Sequence, residues 1–398
     1  MSASAPRVFL VAGESSGDEL GARLMRGLAD ATGGAAAFTG VGGPAMASAG
    51  LTSLFPMADI AVMGIGPVLA RLPTLIERIR RTADAAIAAD PDVVVLIDSP
   101  DFTHRVAHRL RAARPDVPIV VYVSPTVWAW RAGRARKLAG FADRLLAILP
   151  FEPEVHRILG GPSTVYVGHP VLERLAALRG ARSLAPERPP MLLVLPGSRR
   201  SEIGRLMAVF GATLGRLKAR GLAFDAVLPA VPHLRGEIER LAADWPVVPR
   251  LVGPDDKAAA FRDAGLALAA SGTVTLELAA AAIPTVAAYR LDWLGRRVVR
   301  FIDIPPALKP IVPVRSALLP NLILGRRAVP EFIDRDCTPD ALADALVPLF
   351  ADGPERRDQL AAFAELEARM ALPDGRRPGE AAAAAVLDVI ARRTLRLP

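Results

Sequence analysis

Cysteine and aromatic residues are scarce in this sequence. Its 398 residues include one cysteine, Cys337, so neither an intramolecular disulfide nor a cysteine metal cluster is possible, and a reducing cytosol is the expected environment. Only 5% of the residues are aromatic, and no run of lysine and arginine interleaves with them. Although the net charge is +8, this composition predicts no nucleic-acid partner.

Long hydrophobic targeting segments are also missing. The chain enters an apolar run at Val8–Val11 without a basic stretch and a long hydrophobic core before it, so we expect no secretion signal. The apolar stretch 265–289 is interrupted by Ser271, Glu277 and Pro284, which predicts strand, turn, buried helix and strand rather than a membrane span.

Short β-branched runs alternate with longer amphipathic runs, and this pattern is typical of βαβ units in an α/β protein. In the first half the runs predict strands at 8–12, 36–41, 93–98, 119–124, 145–149 and 165–167, and the run DVVVLID at 92–98 is continuously apolar, as expected of a parallel strand covered on both faces. In the second half they predict strands from residue 191 and at 226–228, 247–252, 266–270 and 285–289. A polar, proline-rich stretch at 180–190 separates two such series and is the predicted linker. The length suits two domains, which we place at 1–179 and 191–350. Residues 351–398 are rich in alanine and are predicted to form helices that pack back toward the first domain.

Two segments of the first half combine the end of a strand with polar residues. Residues 13–18 (GESSGD) offer Glu14, Ser16 and a helix N-terminus to an anion, although an ordinary turn capped by serine and aspartate explains them equally well. The segment does not follow the GxGxxG pattern, which argues against NAD. Asp98 ends an apolar strand, where ligands bind in open α/β sheets, and is the candidate general base.

Aromatic and imidazole side chains follow in the same domain. Trp128 and Trp130 lie beside Arg131 after a strand, and either line an acceptor pocket or pack the domain cleft. His104 and His108 share a helix face, but no third ligand is evident, so we expect solvated histidines rather than a metal site.

The second half repeats the strand-to-helix pattern with residues suited to a phosphate. Ser198 and Arg199 follow a strand, and arginine is a forked partner for a diphosphate, while a capping box headed by Ser198 fits the same residues. Ser271, Gly272 and Thr273 are small residues that can cradle phosphate at a helix N-terminus. Glu277 in an apolar helix needs a partner, for which a ribose diol is suitable. Asn321 is a weaker candidate to bind a ligand through its amide.

Taken together, these segments resemble the lipid-A-disaccharide synthase family from residue 12 nearly to the C-terminus. The matching blocks are AGESSGD at 12–18, GVGGPAM at 40–46, AVMGI at 61–65, IDSPDF at 97–102, YVSPTVWAWR at 122–131, LPFE at 149–152, GHP at 168–170, LPGSRRSEI at 195–203, ASGTVTLE at 270–277, YR at 289–290 and LPNLILGR at 319–326.

The resemblance implies a GT-B type fold, in which two Rossmann-like domains face each other across a cleft. It implies that UDP-2,3-diacylglucosamine is joined to 2,3-diacylglucosamine 1-phosphate with inversion and release of UDP. UDP would lie against Ser198, Arg199, Ser271–Thr273, Glu277 and Asn321, and Asp98 would take the proton from the acceptor 6-hydroxyl. The same resemblance implies no metal or other cofactor, and it permits a homodimer.

Because both substrates are acylated, a soluble enzyme must reach them at a bilayer. The segment 61–79 is strongly apolar with arginines nearby, and we expect it to form a membrane patch in preference to a core helix, with the enzyme cytoplasmic and held peripherally at the inner face of the inner membrane. The patch residues are Val68, Leu69, Leu72, Leu75 and Ile76.

Two other functions fit the same fold class. One is another GT-B type transferase or an epimerase that acts on a water-soluble UDP-sugar substrate, against which the apolar segment 61–79 argues. The other is a nucleotide-binding regulatory protein without turnover, against which Asp98 at the strand end argues only weakly.

Overall fold

A computed structural model describes residues 5–61, 71–174, 189–291, 296 and 304–394. The chain divides into two compact units, one formed by Met1–Pro170 with Leu372–Pro398 and the other by Val171–Ala371. Each unit contains one six-stranded sheet in which every neighbouring pair of strands is parallel. This arrangement confirms the predicted α/β class.

The sheet of the first unit has the strand order β2-β1-β3-β4-β5-β6. Its strands are β1 Arg7–Ala12, β2 Ala37–Val41, β3 Val93–Ile97, β4 Ile119–Tyr122, β5 Arg144–Ala147 and β6 Thr164–Tyr166. All five residues of β3 are buried, as expected of a strand covered by helices on both faces. All six strands were predicted from the sequence, although β4 stops at Tyr122 and not at Ser124.

Helices cover both faces of this sheet. Those before the second unit are α1 Ser15–Ala31, α2 Pro44–Ser48, α3 Leu72–Ala88, α4 Pro100–Ala113, α5 Arg134–Ala139 and α6 Glu152–Leu159. One hydrophobic cluster joins one face of the sheet to α1 and α2, and another joins the opposite face to α3 and α4.

The second unit has the strand order β12-β11-β10-β7-β8-β9. Its strands are β7 Met191–Leu195, β8 Asp225–Pro229, β9 Arg250–Val252, β10 Ala264–Ala270, β11 Thr285–Tyr289 and β12 Glu331–Ile333. Its helices are α7 Arg200–Ala219, α8 Arg235–Ala242, α9 Lys257–Asp263, α10 Val274–Ala280, α11 Leu319–Leu324, α12 Pro339–Leu346 and α13 Pro354–Met370. The apolar stretch 265–289 thus forms strand, helix and strand, as predicted, whereas the three-residue β12 was not predicted.

The last helix, α14 (Pro378–Thr394), belongs to the first unit and packs against α1. Its face is made largely of alanine, and the backbone of Gly379 lies so close to Gly27 that a Cβ on Gly27 would meet the Gly379 carbonyl oxygen at 2.5 Å. The predicted return of 351–398 to the first domain therefore applies to α14 alone, because α13 remains in the second unit. The division after Pro170 also falls before the predicted boundary at 179; residues 180–188 of the predicted linker lie outside the described residues.

Each sheet has a point where the chain turns from one edge toward the other. In the first unit this switch lies between β1 and β3, and in the second it lies between β7 and β10. Ligands of open α/β sheets bind beyond the carboxyl ends of the strands at such points. The segments that follow these four strands are therefore the places to look for a site.

Candidate functional site

Asp98 and Ser16 meet at the switch point of the first unit. Asp98 follows β3 and Ser16 lies in the first turn of α1, which follows β1, so the chain brings them together across 82 positions. Ser16 Oγ lies 3.5 Å from Asp98 Oδ2, at the limit of a hydrogen bond. The carboxylate is only partly buried, and it therefore remains accessible to a substrate hydroxyl.

Left-handed backbone is concentrated beside Asp98. Asp98 and Ser99 have φ of 52° and 46°, and Val123 after the neighbouring strand β4 has φ of 83°. Such values cost free energy in residues other than glycine, and most of all in a β-branched residue such as Val123, and they cluster at functional sites. The turn is held because Asp98 Oδ1 accepts the Ser99 N–H at 2.8 Å, and its carbonyl accepts Thr103 Oγ1 at 2.8 Å.

Glycine at position 13 is required by the same turn. A Cβ there would lie 2.5 Å from Ser99 Oγ, which is below any normal contact distance. The strand ends β1 and β3 therefore approach each other closely only because residue 13 has no side chain.

Asp18 is a structural residue that the sequence analysis did not single out. It was considered only as a cap of its own helix, but its carboxylate instead accepts hydrogen bonds from the backbone N–H groups of Gly43, Ala45 and Met46 at 2.8, 2.9 and 3.0 Å. Asp18 is only 3% exposed. Asp18 thus joins the blocks 12–18 and 40–46.

The two tryptophans that were predicted to act together have different environments. Trp128 is 7% exposed and packs edge-on against Phe151, with ring centroids 5.7 Å apart. Trp130 is half-buried and lies under the guanidinium of Arg131, whose Cζ is 4.2 Å from the ring centroid. The packing role thus fits Trp128, while Trp130 remains available to a ligand.

A buried polar cluster lies beneath this tryptophan segment. Ser124 Oγ is 2.8 Å from His156 Nε2, and Glu152 accepts the Leu149 N–H at 3.0 Å. The pKa of Glu152 is raised to about 8, because burial disfavours the carboxylate more than the nearby donors favour it. Burial likewise lowers the pKa of His156 to about 4. Glu152 and His156 are therefore both neutral at pH 7.

The Trp128 indole belongs to the same cluster. Within the part of the chain that the structure describes, its Nε1 has no partner at hydrogen-bonding geometry, although it lies near enough to Glu152 to favour ionisation of that carboxyl. Burial, with a smaller effect of Glu152, also raises the pKa of Tyr166 on β6. Sequence reasoning missed this cluster, although a glutamate in the apolar block LPFE was the signal that could have indicated it.

His104 and His108 pack against one aromatic ring. Their ring centroids lie 5.0 and 4.8 Å from that of Phe141. His104 is half-buried, which corrects the expectation of a solvated side chain, whereas His108 is exposed. Burial and then the charges of His108 and Arg134 lower the pKa of His104 to about 4.

In the second unit, Arg199 and Ser198 follow β7 at the switch point. Both are exposed, and Glu202 on the first turn of α7 accepts the Ser198 and Arg199 N–H groups at 3.1 and 3.3 Å. The helix cap is therefore Arg199, one residue beyond the Ser198 that the capping-box interpretation required. Gly197 has φ of 111°, and a Cβ there would meet Glu202 Oε2 at 2.4 Å, so this turn requires glycine.

Ser271–Thr273 follow β10 on the other side of the same switch point. They are partly or fully exposed, and Gly272 has open space around it. Glu277, one turn further on, is paired with Lys257, whose Nζ lies 2.9 Å from Glu277 Oε2. The sequence analysis expected a partner for this half-buried glutamate. Lys257 is such a partner, and it was not predicted.

Asn321 is completely buried and its amide is engaged with the protein. Its Nδ2 donates to the Val329 carbonyl at 3.0 Å and to Ser316 Oγ at 3.2 Å, while its Oδ1 accepts the Val329 N–H at 2.9 Å. Glu331 accepts Ser316 Oγ at 2.7 Å and the Ala317 N–H at 2.9 Å. Asn321 therefore organises the loop around Ser316 instead of presenting a free amide.

Of the apolar segment 61–79, the structure describes residue 61 and residues 71–79, and Val68 and Leu69 lie outside the described residues. On α3, Leu72 and Ile76 are 41% and 46% exposed, Leu75 is partly buried, and Ile79 is 8% exposed and belongs to the core. The first turns of α3 thus expose apolar side chains while the later turns pack on the sheet. Among the described residues, no helix has the length and apolar character needed to cross a bilayer.

The sequence contains two Asp-x-Asp pairs, at 90–92 and 334–336, a pattern with which many transferases hold a metal-bound diphosphate, and three of the four aspartates have partners within the protein. Asp90 pairs with Arg114 at 2.8 Å, and Asp92 accepts the Arg7 N–H at 2.8 Å. Asp334 accepts the Leu291 N–H at 2.9 Å. The described residues contain no cluster of three histidine, cysteine, aspartate or glutamate side chains placed to hold a metal ion.

The chain is similar to known sequences over nearly its whole length. The model of the family described as lipid-A-disaccharide synthetase matches residues 8–383. The lipid-A-disaccharide synthase of Rhodopseudomonas palustris strain HaA2 is 50% identical over 392 residues, which cover 96% of each chain. That of Rhodospirillum centenum is 45% identical, covering 98% of this chain and 96% of its own.

Solved structures show the same fold at low sequence identity. The Acinetobacter baumannii MurG structure is similar with a TM-score of 0.57 and 14% identity, covering 97% of this chain and 99% of its own. The calicheamicin glycosyltransferase CalG4 has a TM-score of 0.56 and 15% identity, covering 98% of this chain and 99% of its own. These similarities confirm the predicted GT-B type fold.

Proposed function

The chain belongs to the lipid-A-disaccharide synthetase family, and we propose on that basis that it joins UDP-2,3-diacylglucosamine to 2,3-diacylglucosamine 1-phosphate. The products are the lipid A disaccharide 1-phosphate and UDP. The observation that carries this proposal is the family match over residues 8–383, which includes both switch points.

Asp98 is the general base of the proposed reaction. It takes the proton of the acceptor 6-hydroxyl while that oxygen attacks the anomeric carbon and the bond from this carbon to the diphosphate breaks, with inversion. Support comes from its place at the end of β3, its left-handed backbone and its partial exposure. Glu14 and Ser16 at the same switch point, together with Trp130, contact the acceptor, and Trp128 supports the segment that carries Trp130.

The donor is bound by the second unit. Ser198 and Arg199 on one side of the switch point, and Ser271, Gly272 and Thr273 on the other, surround the diphosphate of the nucleotide sugar. Arg199 stabilises the negative charge that develops on the leaving UDP. Glu277 binds the ribose diol while its ion pair with Lys257 holds the carboxylate in place, and Asn321 contributes by holding the neighbouring loop.

The enzyme works at the cytoplasmic face of the inner membrane, to which it is held peripherally. Leu72, Leu75 and Ile76 on α3, continuing the apolar residues Val68 and Leu69 of the sequence, enter the interface, with basic residues such as Arg80 close by on the helix. Exposure of two large apolar side chains one turn apart supports this role. It also favours an acylated substrate over a water-soluble one.

The test is release of UDP by the purified protein with both lipid substrates in neutral detergent. We expect release only when donor and acceptor are both present, with formation of a disaccharide phosphate detected by mass spectrometry. UDP release without any acceptor, or conversion of a soluble UDP-sugar to its epimer, would instead support the alternative function. Binding of UDP without turnover would support a regulatory protein.

A further inference from the structure

The guanidinium groups of Arg131 and Arg134 pack against the ring of Trp130, in the segment that follows β4. The Cζ atoms of Arg131 and Arg134 lie 4.2 and 5.4 Å from the centroid of its ring system. The Arg134 N–H also donates to the Arg131 carbonyl at 2.8 Å, which closes a tight turn between them. Stacking on an aromatic ring restricts a guanidinium without using its N–H donors, so both groups keep their hydrogen-bonding edges.

Neither arginine has a carboxylate partner among the described residues. Some other arginines of the first unit are paired, such as Arg78 with Asp59 at 2.9 Å and Arg111 with Asp143 at 2.5 Å. Two guanidinium groups that are held together without a counter-ion repel each other, and an anion removes this repulsion. The pair is therefore arranged to receive a negatively charged group.

The segment that precedes the two arginines is anchored in the core of the first unit. Ser124 is linked to the buried His156, and Trp128 is packed on Phe151, so the residues just before Trp130 are anchored in the core. Arg131 itself has φ of 55°, a left-handed conformation that non-glycine residues adopt at functional sites. A binding group on a rigid support loses little conformational entropy when it captures a ligand.

The pair also follows β4, the strand next to β3, and the proposed base lies at the end of β3. β4 is hydrogen-bonded to β3, and the Asp98 N–H donates to the Tyr122 carbonyl at 3.0 Å. After burial and the charge of His108, the Arg134 guanidinium also lowers the pKa of His104, which lies on the helix that follows Asp98. The pair and the proposed base therefore belong to neighbouring segments that follow the carboxyl ends of adjacent parallel strands.

We propose that Arg131 and Arg134, arrayed on Trp130, form the subsite for the phosphate monoester of the acceptor sugar. This inference rests on the proposed function and adds a specificity site to it. The donor diphosphate is assigned to Arg199 in the second unit, whereas this pair shares a unit and a sheet with Asp98, the group that acts on the acceptor. Two forked cations match the charge and the oxygens of a phosphate monoester.

The test compares two acceptors that differ only in the phosphate. Initial rates of UDP release are measured with 2,3-diacylglucosamine 1-phosphate and with its dephosphorylated form, in neutral detergent without anionic lipid. The variants are Arg131→Gln, Arg134→Gln, the double variant and the charge-preserving Arg131→Lys. Arg157→Gln is the matched control, because Arg157 is an exposed arginine of the same unit that pairs only with Glu154 within the described residues.

We expect the wild type and Arg157→Gln to prefer the phosphorylated acceptor. Each Gln variant should lose kcat/KM for that acceptor on the order of tenfold and change little with the dephosphorylated one, as for loss of a hydrogen bond to a charged group. Arg131→Lys should fall between the wild type and Arg131→Gln. If the wild type releases no UDP with either acceptor, the proposed function itself fails, whatever the variants do.

Two results would overturn the subsite. Equal losses with both acceptors mean that the arginines only maintain the loop. If the variants keep the wild-type preference for the phosphorylated acceptor, the subsite is refuted. If they also sediment less than the wild type with phosphatidylglycerol vesicles, but not with phosphatidylcholine vesicles, the arginines bind the bilayer surface instead.

Discussion

Glu152 accepts a hydrogen bond from the backbone N–H of Leu149 at 3.0 Å while its side chain is sealed in the interior of the first unit. Its folded pKa of about 8 exceeds the ordinary value of 4.5. Between these two pH values the folded protein keeps a proton that the unfolded chain has lost, so unfolding becomes easier as the pH rises.

Glu152→Gln should therefore flatten the decline of stability between about pH 5 and pH 8. Relative to the comparison below pH 5, the free energy of unfolding of the variant above pH 8 should rise over that of the wild type by on the order of a few kcal/mol. Denaturant unfolding at several pH values measures this. Glu154→Gln, on the exposed side of the same helix, is the control and should run parallel to the wild type; a parallel curve for Glu152→Gln would contradict the buried neutral acid.

Asp98→Asn should reduce kcat by about 100- to 10,000-fold, the usual contribution of a general base, and leave UDP affinity unchanged. The amide keeps the size of the side chain but cannot accept the proton. Steady-state UDP release and calorimetric UDP binding measure the two quantities. Asp101→Asn, an exposed neighbour on α4, serves as the control, and activity of Asp98→Asn near that of Asp101→Asn would remove Asp98 as the base.

Arg199→Gln should raise KM for the donor and lower kcat, because the diphosphate loses a charged hydrogen-bond partner in the ground state and in the transition state. The loss in kcat/KM should be on the order of tenfold or more. KM for the acceptor should not change. Arg200→Gln is the matched control, since both arginines are exposed and each pairs with a glutamate at 3.1 Å, Arg199 with Glu202 and Arg200 with Glu237; equal effects of the two changes would argue against a specific role for Arg199.

Asp18→Asn should destabilise the first unit by about 3 kcal/mol, because three backbone N–H groups lose a charged acceptor in a buried site. The change should appear as a lower denaturant midpoint. Asp30→Asn, an exposed aspartate on the same helix, should have an effect close to zero. A midpoint for Asp18→Asn as high as that of Asp30→Asn would show that the contacts to residues 43–46 do not contribute.

Leu72→Ser combined with Ile76→Ser should weaken binding to vesicles by about tenfold for each side chain, following the apolar area removed from the bilayer. Sedimentation with vesicles of mixed neutral and anionic lipid measures the binding. Leu241→Ser is the control, because Leu241 is 40% exposed in the second unit and thus comparable with Leu72 at 41%. Unchanged vesicle binding by the double variant would refute the membrane patch.

Much of the fold followed from local pattern. The apolar run DVVVLID at 92–98 predicted a buried parallel strand, and β3 occupies 93–97. The end of β4 was predicted two residues too late because the left-handed conformation of Val123 depends on the packing of its surroundings and not on its own β propensity. The short edge strand β12 was missed because Glu331 and Asp334 flank only two apolar residues, Phe332 and Ile333, so no apolar run marks the strand.

The candidate site was predicted in a similar way. Asp98, Arg199 and Ser271 were named because each follows a strand, and parallel strands place such residues at one edge of their sheet. The environments of Trp128 and Asn321 were not foreseen, because burial depends on segments distant in the chain, namely Phe151 and Val329.

The sequence alone determined the alternation of strands and helices, the two successive sheets and the family, because periodicity and block order are properties of the chain itself. Tertiary structure decided which distant groups meet: Asp18 with residues 43–46, Ser124 with His156, and Lys257 with Glu277. It also determined that the Glu152 carboxyl stays protonated at pH 7. The physical reason is that desolvation and hydrogen bonding act between neighbours in space, and only the folded chain defines those neighbours.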